Sequence, residues 1–421
     1  MGFDARTDTR MATLTCRFCG TDLEHTFVNL GATPIANDML RAEQLIGMEP
    51  FYSLHVLVCH DCFLVQLPEF ESPDKIFSDD YTYFSSYSQS WLDHASRYVD
   101  MMIERFGFGP DSFVVELASN DGYLLQYFDA KNVPVLGIEP TANTAQVAID
   151  KGIPTRVEFF GTAVGERIAA EQGKADLILG NNVLAHVPDI NDFVGGMKAL
   201  LAAGGVITME FPHLQRLVEQ NQFDTIYHEH FSYLSFSAVT RVFAHHGLRM
   251  FDVEELSTHG GSLRIFACHA DDESHAAEGR VAELLQREDE LGMNALAYYQ
   301  GYEQKVQSVK RGLLRALVDI KEAGGTVAAY GAAAKGNTLL NYCGIGTDFI
   351  DFAVDRSPHK QGRYLPGTRI PVEAPEVIEE RKPDYLLILP WNLKDEIMRQ
   401  TTSIRDWGGK FIVPIPEVEI I

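Results

Sequence analysis

Twice along this chain a short apolar run passes through a tight turn into a helical pattern: VVELASNDGYLLQYF at 114–128 and VAAYGAAAKGNTLLNYC at 327–343. Strands that turn into helices in this way, with further apolar runs alternating after them, predict βαβ units and parallel sheets. Around the first stretch, SFVVELA, PVLGIEP, ADLILGNNV and GGVITMEFP supply strands within residues 76–270. Around the second, FIDFAVDRSP, PDYLLILPW and KFIVPIP do so within 322–421. Between them, 271–321 reads as a helical connector. There Tyr302, Val306, Val309, Leu313, Leu317 and Ile320 recur at spacings of three and four and mark one buried stripe. A chain of 421 residues exceeds what one core organises, so an α/β protein of several domains is expected.

Residues 13–75 differ in kind. Cys16 and Cys19 form one C-x-x-C pair, Cys59 and Cys62 another, and the two pairs together supply the four thiolates of a tetrahedral zinc site. All four ligand positions are then taken, so the zinc is expected to be structural. The 39 residues between the knuckles require a small β-rich insert such as FYSLHVLVC. Cys268 and Cys343 stand in apolar sequence and read as core residues.

Net charge is −24, which argues against a general nucleic-acid or anionic-membrane binder, because phosphate contacts need clustered Lys and Arg. No long apolar stretch suggests a membrane span, and the start MGFDARTDTRMATLT lacks a signal-like apolar region. A cytoplasmic protein is the expectation.

The turn at 118–122 carries one glycine, Gly122, where dinucleotide folds carry three. Ala118, Ser119, Asn120 and Asp121 would crowd a pyrophosphate there, whereas a phosphate-free adenosyl ligand fits. Glu116 ends the first strand, and Glu139 ends the next in VLGIEP, where a carboxylate accepts from ribose hydroxyls. Asn181 and Asn182, in LGNNV, close a later strand and are expected to line the same pocket. S-adenosylmethionine suits this set.

These residues resemble the three-domain sugar C-methyltransferases of deoxysugar pathways, such as those making tetronitrose and mycarose. The resemblance spans nearly the whole chain. It rests on the zinc knuckles, YTYFSSYSQSW, ELASNDGYLL, NNVLAHVPD, IYHEHFSYLS, THGGSLR and YGAAAKGNTLLNYCGI. It implies a small zinc module, a class I methyltransferase domain with a Rossmann-like sheet, and a C-terminal Rossmann-like domain. It also implies methyl transfer from S-adenosylmethionine to a carbon beside the ketone of a nucleotide-linked 4-keto-6-deoxysugar, most simply C3. The family's base falls on the second histidine of YHEH, which is His230.

The chemistry asks for the same kinds of residue. A ketone acidifies the neighbouring C–H, a base near neutrality removes the proton, and a donor meets the developing oxyanion. His230 is the expected base, with an acid limb near the imidazole value of about 6.5. Tyr227 is the expected oxyanion donor, and Glu229 is expected to orient an imidazole or bind a sugar hydroxyl. His186, in LAHVPD, is the rival base, and Tyr81, in YTYF, a further hydroxyl donor. A zinc reading of His228 and His230 with His259 is the metal alternative.

In the C-terminal turn, Lys335 and Asn337 are candidate partners of the substrate diphosphate, and Asp355 closes the following strand where a ribose would lie. The turn lacks the glycines that admit a dinucleotide, which disfavours a nicotinamide-dependent oxidoreductase of sugar nucleotides. A non-catalytic zinc and Rossmann scaffold is the other alternative, and oligomeric state is left open.

Overall fold

The computed structural model describes residues 14–70 and 84–421, so Tyr81 lies outside the described residues. Three sheets organise the described residues.

The first is antiparallel, built from His25–Thr33, Tyr52–Val58 and Val65–Gln66, with Ser232–Tyr233 as its fourth strand. The second cysteine knuckle is itself the turn of the hairpin, closed by the Phe63 amide on the Cys59 carbonyl at 3.1 Å. The fourth strand arrives from far along the chain, directly after the YHEH segment, and pairs Tyr233 with Val65.

The second sheet has seven strands. Five parallel strands, in the order Thr155–Arg156, Val135–Ile138, Val114–Leu117, Ala175–Asn181 and Leu201–Pro212, are followed by Ser262–His269 and Leu248–Leu256. Ser262–His269 runs antiparallel to both of its neighbours. Val114–Leu117 is buried at all four positions because helices cover both faces, which is why its sequence is continuously apolar apart from Glu116. The order reverses between Val114–Leu117 and Ala175–Asn181, and a ligand crevice opens at such a switch point beyond the strands' carboxyl ends.

The third sheet is ordered Val372–Glu373, Phe352–Val354, Val327–Tyr330, Tyr385–Ile388 and Lys410–Val413, all parallel, with Glu419–Ile420 antiparallel at the end. Its own switch point flanks Val327–Tyr330. The helix Tyr302–Glu322 buries Tyr302, Val306, Val309, Leu313, Leu317 and Ile320 along one stripe. That stripe joins the first and third sheets in one apolar core, with the Phe27 ring stacked on Tyr302 at 4.6 Å. No helix among the described residues is long and apolar enough to cross a membrane.

Candidate active site

At the first switch point the backbone turns through positive φ at Ala118, Asn120 and Gly122 (55°, 49° and 74°). For Ala118 this conformation is strained, and such strain clusters at ligand clamps. A Cβ on Gly122 would stand 3.2 Å from Ala148, so glycine there also lets the turn pack on the neighbouring helix. The polar side chains of the turn do not project into the crevice as the sequence suggested. Asn120 Oδ1 accepts from the Ser85 amide at 2.9 Å, and Asp121 Oδ2 from the Ser86 amide at 3.3 Å. They hold the 84–88 segment against the turn instead.

Glu139 accepts from the Asn120 amide and the Thr141 amide, each at 2.9 Å, so it braces the turn. A carboxylate has about four acceptor positions, which leaves capacity for a ribose hydroxyl. Glu116 is fully buried, with the Tyr123 hydroxyl as its polar neighbour. Burial raises its pKa well above the carboxylate range, Tyr123 opposes this, and Asp121 and Glu139 add to it. Asn181 donates to the Tyr123 hydroxyl at 3.1 Å, so the two strand ends meet through that ring. A fully buried acid at the strand end, beside a braced turn that would crowd a pyrophosphate, fits the polar end of S-adenosylmethionine. Glu116, Glu139 and Asn181, with the backbone of Ala118, Asn120, Gly122 and Asn182, would hold it.

A second layer of the pocket lies beyond Asn182. Asn182 and His259 both adopt positive φ (56° and 54°), and their side chains bond to each other at 3.0 Å. The His259 ring meets Trp91 edge-on at 5.1 Å, and Trp91 stacks on His94 at 4.9 Å. His94 donates to Glu210 at 2.8 Å, and Arg264 and Thr258 donate to the same carboxylate at 2.9 and 2.8 Å. Burial works to raise the Glu210 pKa, but these partners overcome it and hold it down to about 2. Trp91, His94, Glu210 and Arg264 were not singled out from sequence. Trp91 and Arg264 close the motifs YTYFSSYSQSW and THGGSLR, and Glu210 lies near the end of the strand run GGVITMEFP, so position was the signal they carried.

The YHEH segment forms a turn, closed by the His230 amide on the Tyr227 carbonyl at 2.9 Å. The rings of Tyr227 and His186 lie 3.9 and 4.6 Å from that of His230, centre to centre. Sequence-distant His186 and His230 are thus brought together. His230 Nδ1 donates to the Thr225 carbonyl at 2.7 Å. Burial drives the His230 pKa well below that of free imidazole, and the nearby His186, Lys335 and His259 add to the effect. Burial alone lowers His186 to about 4.

Glu229 does not orient this imidazole. Its carboxyl accepts from Asn37 of the N-terminal module at 2.7 Å, and burial pushes its pKa up to about 7, against Asn37 and Lys360. The metal alternative fails on direction. His228 Nε2 turns to the Tyr52 carbonyl at 3.3 Å while His230 turns to Thr225. Among the described residues, the group of metal-ligating side chains close enough to share an ion is Cys16, Cys19, Cys59 and Cys62. Their sulfurs lie within 4.8 Å of one another, with two pairs at 3.5 Å. A zinc tetrahedron with bonds of about 2.3 Å has edges of about 3.8 Å, so the four cysteines fit the ion and close its coordination.

The C-terminal turn departs from the diphosphate cradle. Asn337 is buried and donates to the Ala36 carbonyl at 2.6 Å, leaving a partnerless acceptor oxygen that repels phosphate. Asp355 is likewise occupied, by the amides of Ala332 and Ser357 at 2.7 and 2.8 Å. Lys335 reaches towards the His259 carbonyl, 3.4 Å away. A hollow of about 740 Å³ lined by Arg315, Asp319, Asp384 and Lys410 lies where the strands of the C-terminal sheet begin, not at this turn.

Residues 16–77 match a zinc binding domain family, 91–253 a methyltransferase domain family, and 257–416 the C-methyltransferase C-terminal domain. C-methyltransferase NovU of Streptomyces niveus is 39% identical over 406 residues, 96% of either chain. Two solved structures are more distant in sequence. PH0226 of Pyrococcus horikoshii is 12% identical with a TM-score of 0.38, over 48% of this chain and 99% of that one. An S-adenosylmethionine-dependent methyltransferase of Anabaena variabilis is 15% identical with a TM-score of 0.36, over 48% and 99%. The full-length match to NovU and the tandem domain matches leave no room for an oxidoreductase or an inert scaffold: the chain is an S-adenosylmethionine-dependent C-methyltransferase with a zinc-binding N-terminus, a member of the family its motifs resemble.

Proposed function

We propose that the chain methylates a carbon next to the ketone of a nucleotide-linked 4-keto-6-deoxysugar, C3 in the simplest case, with His230 as general base. The supporting observation is the fixed tautomer of His230. Its Nδ1–H is committed to the Thr225 carbonyl, so Nε2 holds a lone pair, and burial keeps the ring neutral. S-adenosylmethionine, when bound, supplies an electrophilic methyl group. Glu139 and Glu116 would position it at the switch point. Tyr227 and His186 flank the base, and Glu229, with its raised pKa, is a candidate partner for a sugar hydroxyl. The sugar class comes from the motif resemblance and is consistent with NovU being a C-methyltransferase.

The test is incubation with S-adenosylmethionine and a panel of nucleotide 4-ketosugars, followed by mass spectrometry. A gain of one methyl group that resists ester and ether cleavage supports carbon methylation. A panel with no product, or a product methylated on oxygen, defeats the reading.

A further inference from the structure

Lys335 opens the helix Ala334–Cys343, which belongs to the C-terminal sheet yet docks on the segment that leads into YHEH. Thr338, one turn further along the same face, donates to the Ile226 carbonyl at 3.0 Å, next to Tyr227. Asn337 fixes the same turn to the N-terminal module through Ala36. The lysine is therefore held at the seam of all three sheets, and it is partly buried. Its ammonium stands 5.1 Å from the Trp391 ring centre and 3.4 Å from the His259 carbonyl, its one close polar contact among the described residues. An ammonium has three donors, so most of its capacity is unspent.

Burial lowers the Lys335 pKa, and the nearby Asp224 opposes the fall. Asp224 is fully buried, accepts from Trp391 Nε1 on Oδ2 at 2.7 Å, and has no partner on Oδ1. Burial pushes the Asp224 pKa up to about 7, against the Lys335 charge and the Trp391 hydrogen bond. His259 and His230 are the other titratable groups that feel its charge, and Glu210 and His94 stand behind His259. Lys335 contributes to holding both His230 and His259 below the imidazole value, after burial, so its charge reaches the base.

We propose that Lys335 is the cation that meets the negative charge forming on the substrate carbonyl oxygen while His230 removes the neighbouring proton. This rests on the function proposed above. In that step the C–H bond breaks and its electron pair becomes the new C–C π bond. The carbonyl π pair moves to oxygen, and the proton goes to His230 Nε2. One negative and one positive charge appear together, and no further reactant is needed. A charged donor in a poorly hydrated pocket stabilises the oxyanion more than a phenol such as Tyr227 does. The reading also replaces a diphosphate role, for which Asn337 offers no help.

The experiment compares wild type, Lys335→Met and Lys335→Arg on the dTDP- and UDP-linked 4-keto-6-deoxyglucoses in deuterated water. Deuterium uptake beside the ketone is followed without methyl donor, and methyl transfer with it. Lys335→Met is expected to lose about 10²–10³ in both rates, with KM changed only a few-fold. Lys335→Arg should recover part of both. The acid limb of the Met variant should also move to higher pH, since the base loses a cationic neighbour. Donor affinity by calorimetry confirms that each variant is folded. Wild-type exchange rates in Lys335→Met, or a rise in KM alone, overturn the proposal while leaving His230 as base. Exchange and carbon methylation at wild-type rates in His230→Asn overturn the mechanism above it. Wild-type protein inert on both sugars removes the ground for both.

Discussion

The His230 imidazole donates through Nδ1 to the Thr225 carbonyl oxygen, 2.7 Å away. A carbonyl only accepts, so the proton sits on Nδ1 and the lone pair on Nε2. Thr225 is fixed in turn, its hydroxyl donating to the Gln222 carbonyl at 2.7 Å. One main-chain contact thus sets the protonation pattern of the proposed base.

Replacement of His230 should remove the proton acceptor and leave the donor pocket intact. His230→Asn is expected to lower turnover by about 10²–10⁴ and to stop deuterium exchange beside the ketone. S-adenosylmethionine affinity should stay within a few-fold of wild type. His186→Asn should slow turnover less. Exchange that survives in His230→Asn but is lost in His186→Asn assigns the base to His186.

The acid limb of kcat/KM should fall below that of an ordinary imidazole. His230 is neutral above its folded-state pKa, so activity is present there and is lost as pH falls through it. Because burial, with the neighbouring His186, Lys335 and His259, places that pKa well below 6.5, the profile should still be flat at pH about 6.5. A half-maximal point at about 6.5 would mean that the ring titrates as if solvated. The sequence alone predicted that value, since nothing in IYHEHF reveals that the ring will be enclosed.

Local signals in the chain were the readable ones. Two C-x-x-C pairs announce a four-thiolate site, and the continuous apolar run around Glu116 announces a doubly covered strand. What sequence could not reveal were contacts between distant segments. Asn120 and Asp121 look like pocket polar groups until Ser85 and Ser86 arrive to take their side chains. Asn337 looks like a phosphate ligand until the Ala36 carbonyl occupies it. Trp91, His94 and Glu210 join the site only because a helix start and a strand end meet across the sheet. Ser232–Tyr233 completes the zinc module's sheet by a pairing that no periodicity in two residues could predict.

Glu139→Ala should weaken S-adenosylmethionine binding by about tenfold or more, read by calorimetry, since hydrogen bonds to a charged group contribute about 1.5–3 kcal/mol each. The carboxylate also accepts from Asn120 and Thr141 amides, so Glu139→Gln should recover less than half of the lost binding energy. An unchanged Kd in the Ala variant would show that the ribose lies elsewhere.

Loss of zinc should reach the proposed base, because the knuckle is wired to the catalytic turns. Arg17, between Cys16 and Cys19, donates to the Pro188 carbonyl at 2.7 Å and to the Leu67 carbonyl at 2.5 Å. Leu67 then donates to the Phe231 carbonyl at 3.0 Å, and the Phe231 amide to the Ala185 carbonyl at 2.8 Å. His186 and His230 are the immediate neighbours of those last two residues. Cys59→Ser, or exposure to a strong chelator, should therefore release one equivalent of zinc and leave the first sheet open to protease. Methyl transfer should fall at least tenfold while donor affinity changes less than threefold. Arg17→Ala should retain zinc and still lose part of the transfer rate. Soluble, metal-free protein with normal turnover would show that the knuckle holds nothing the reaction needs.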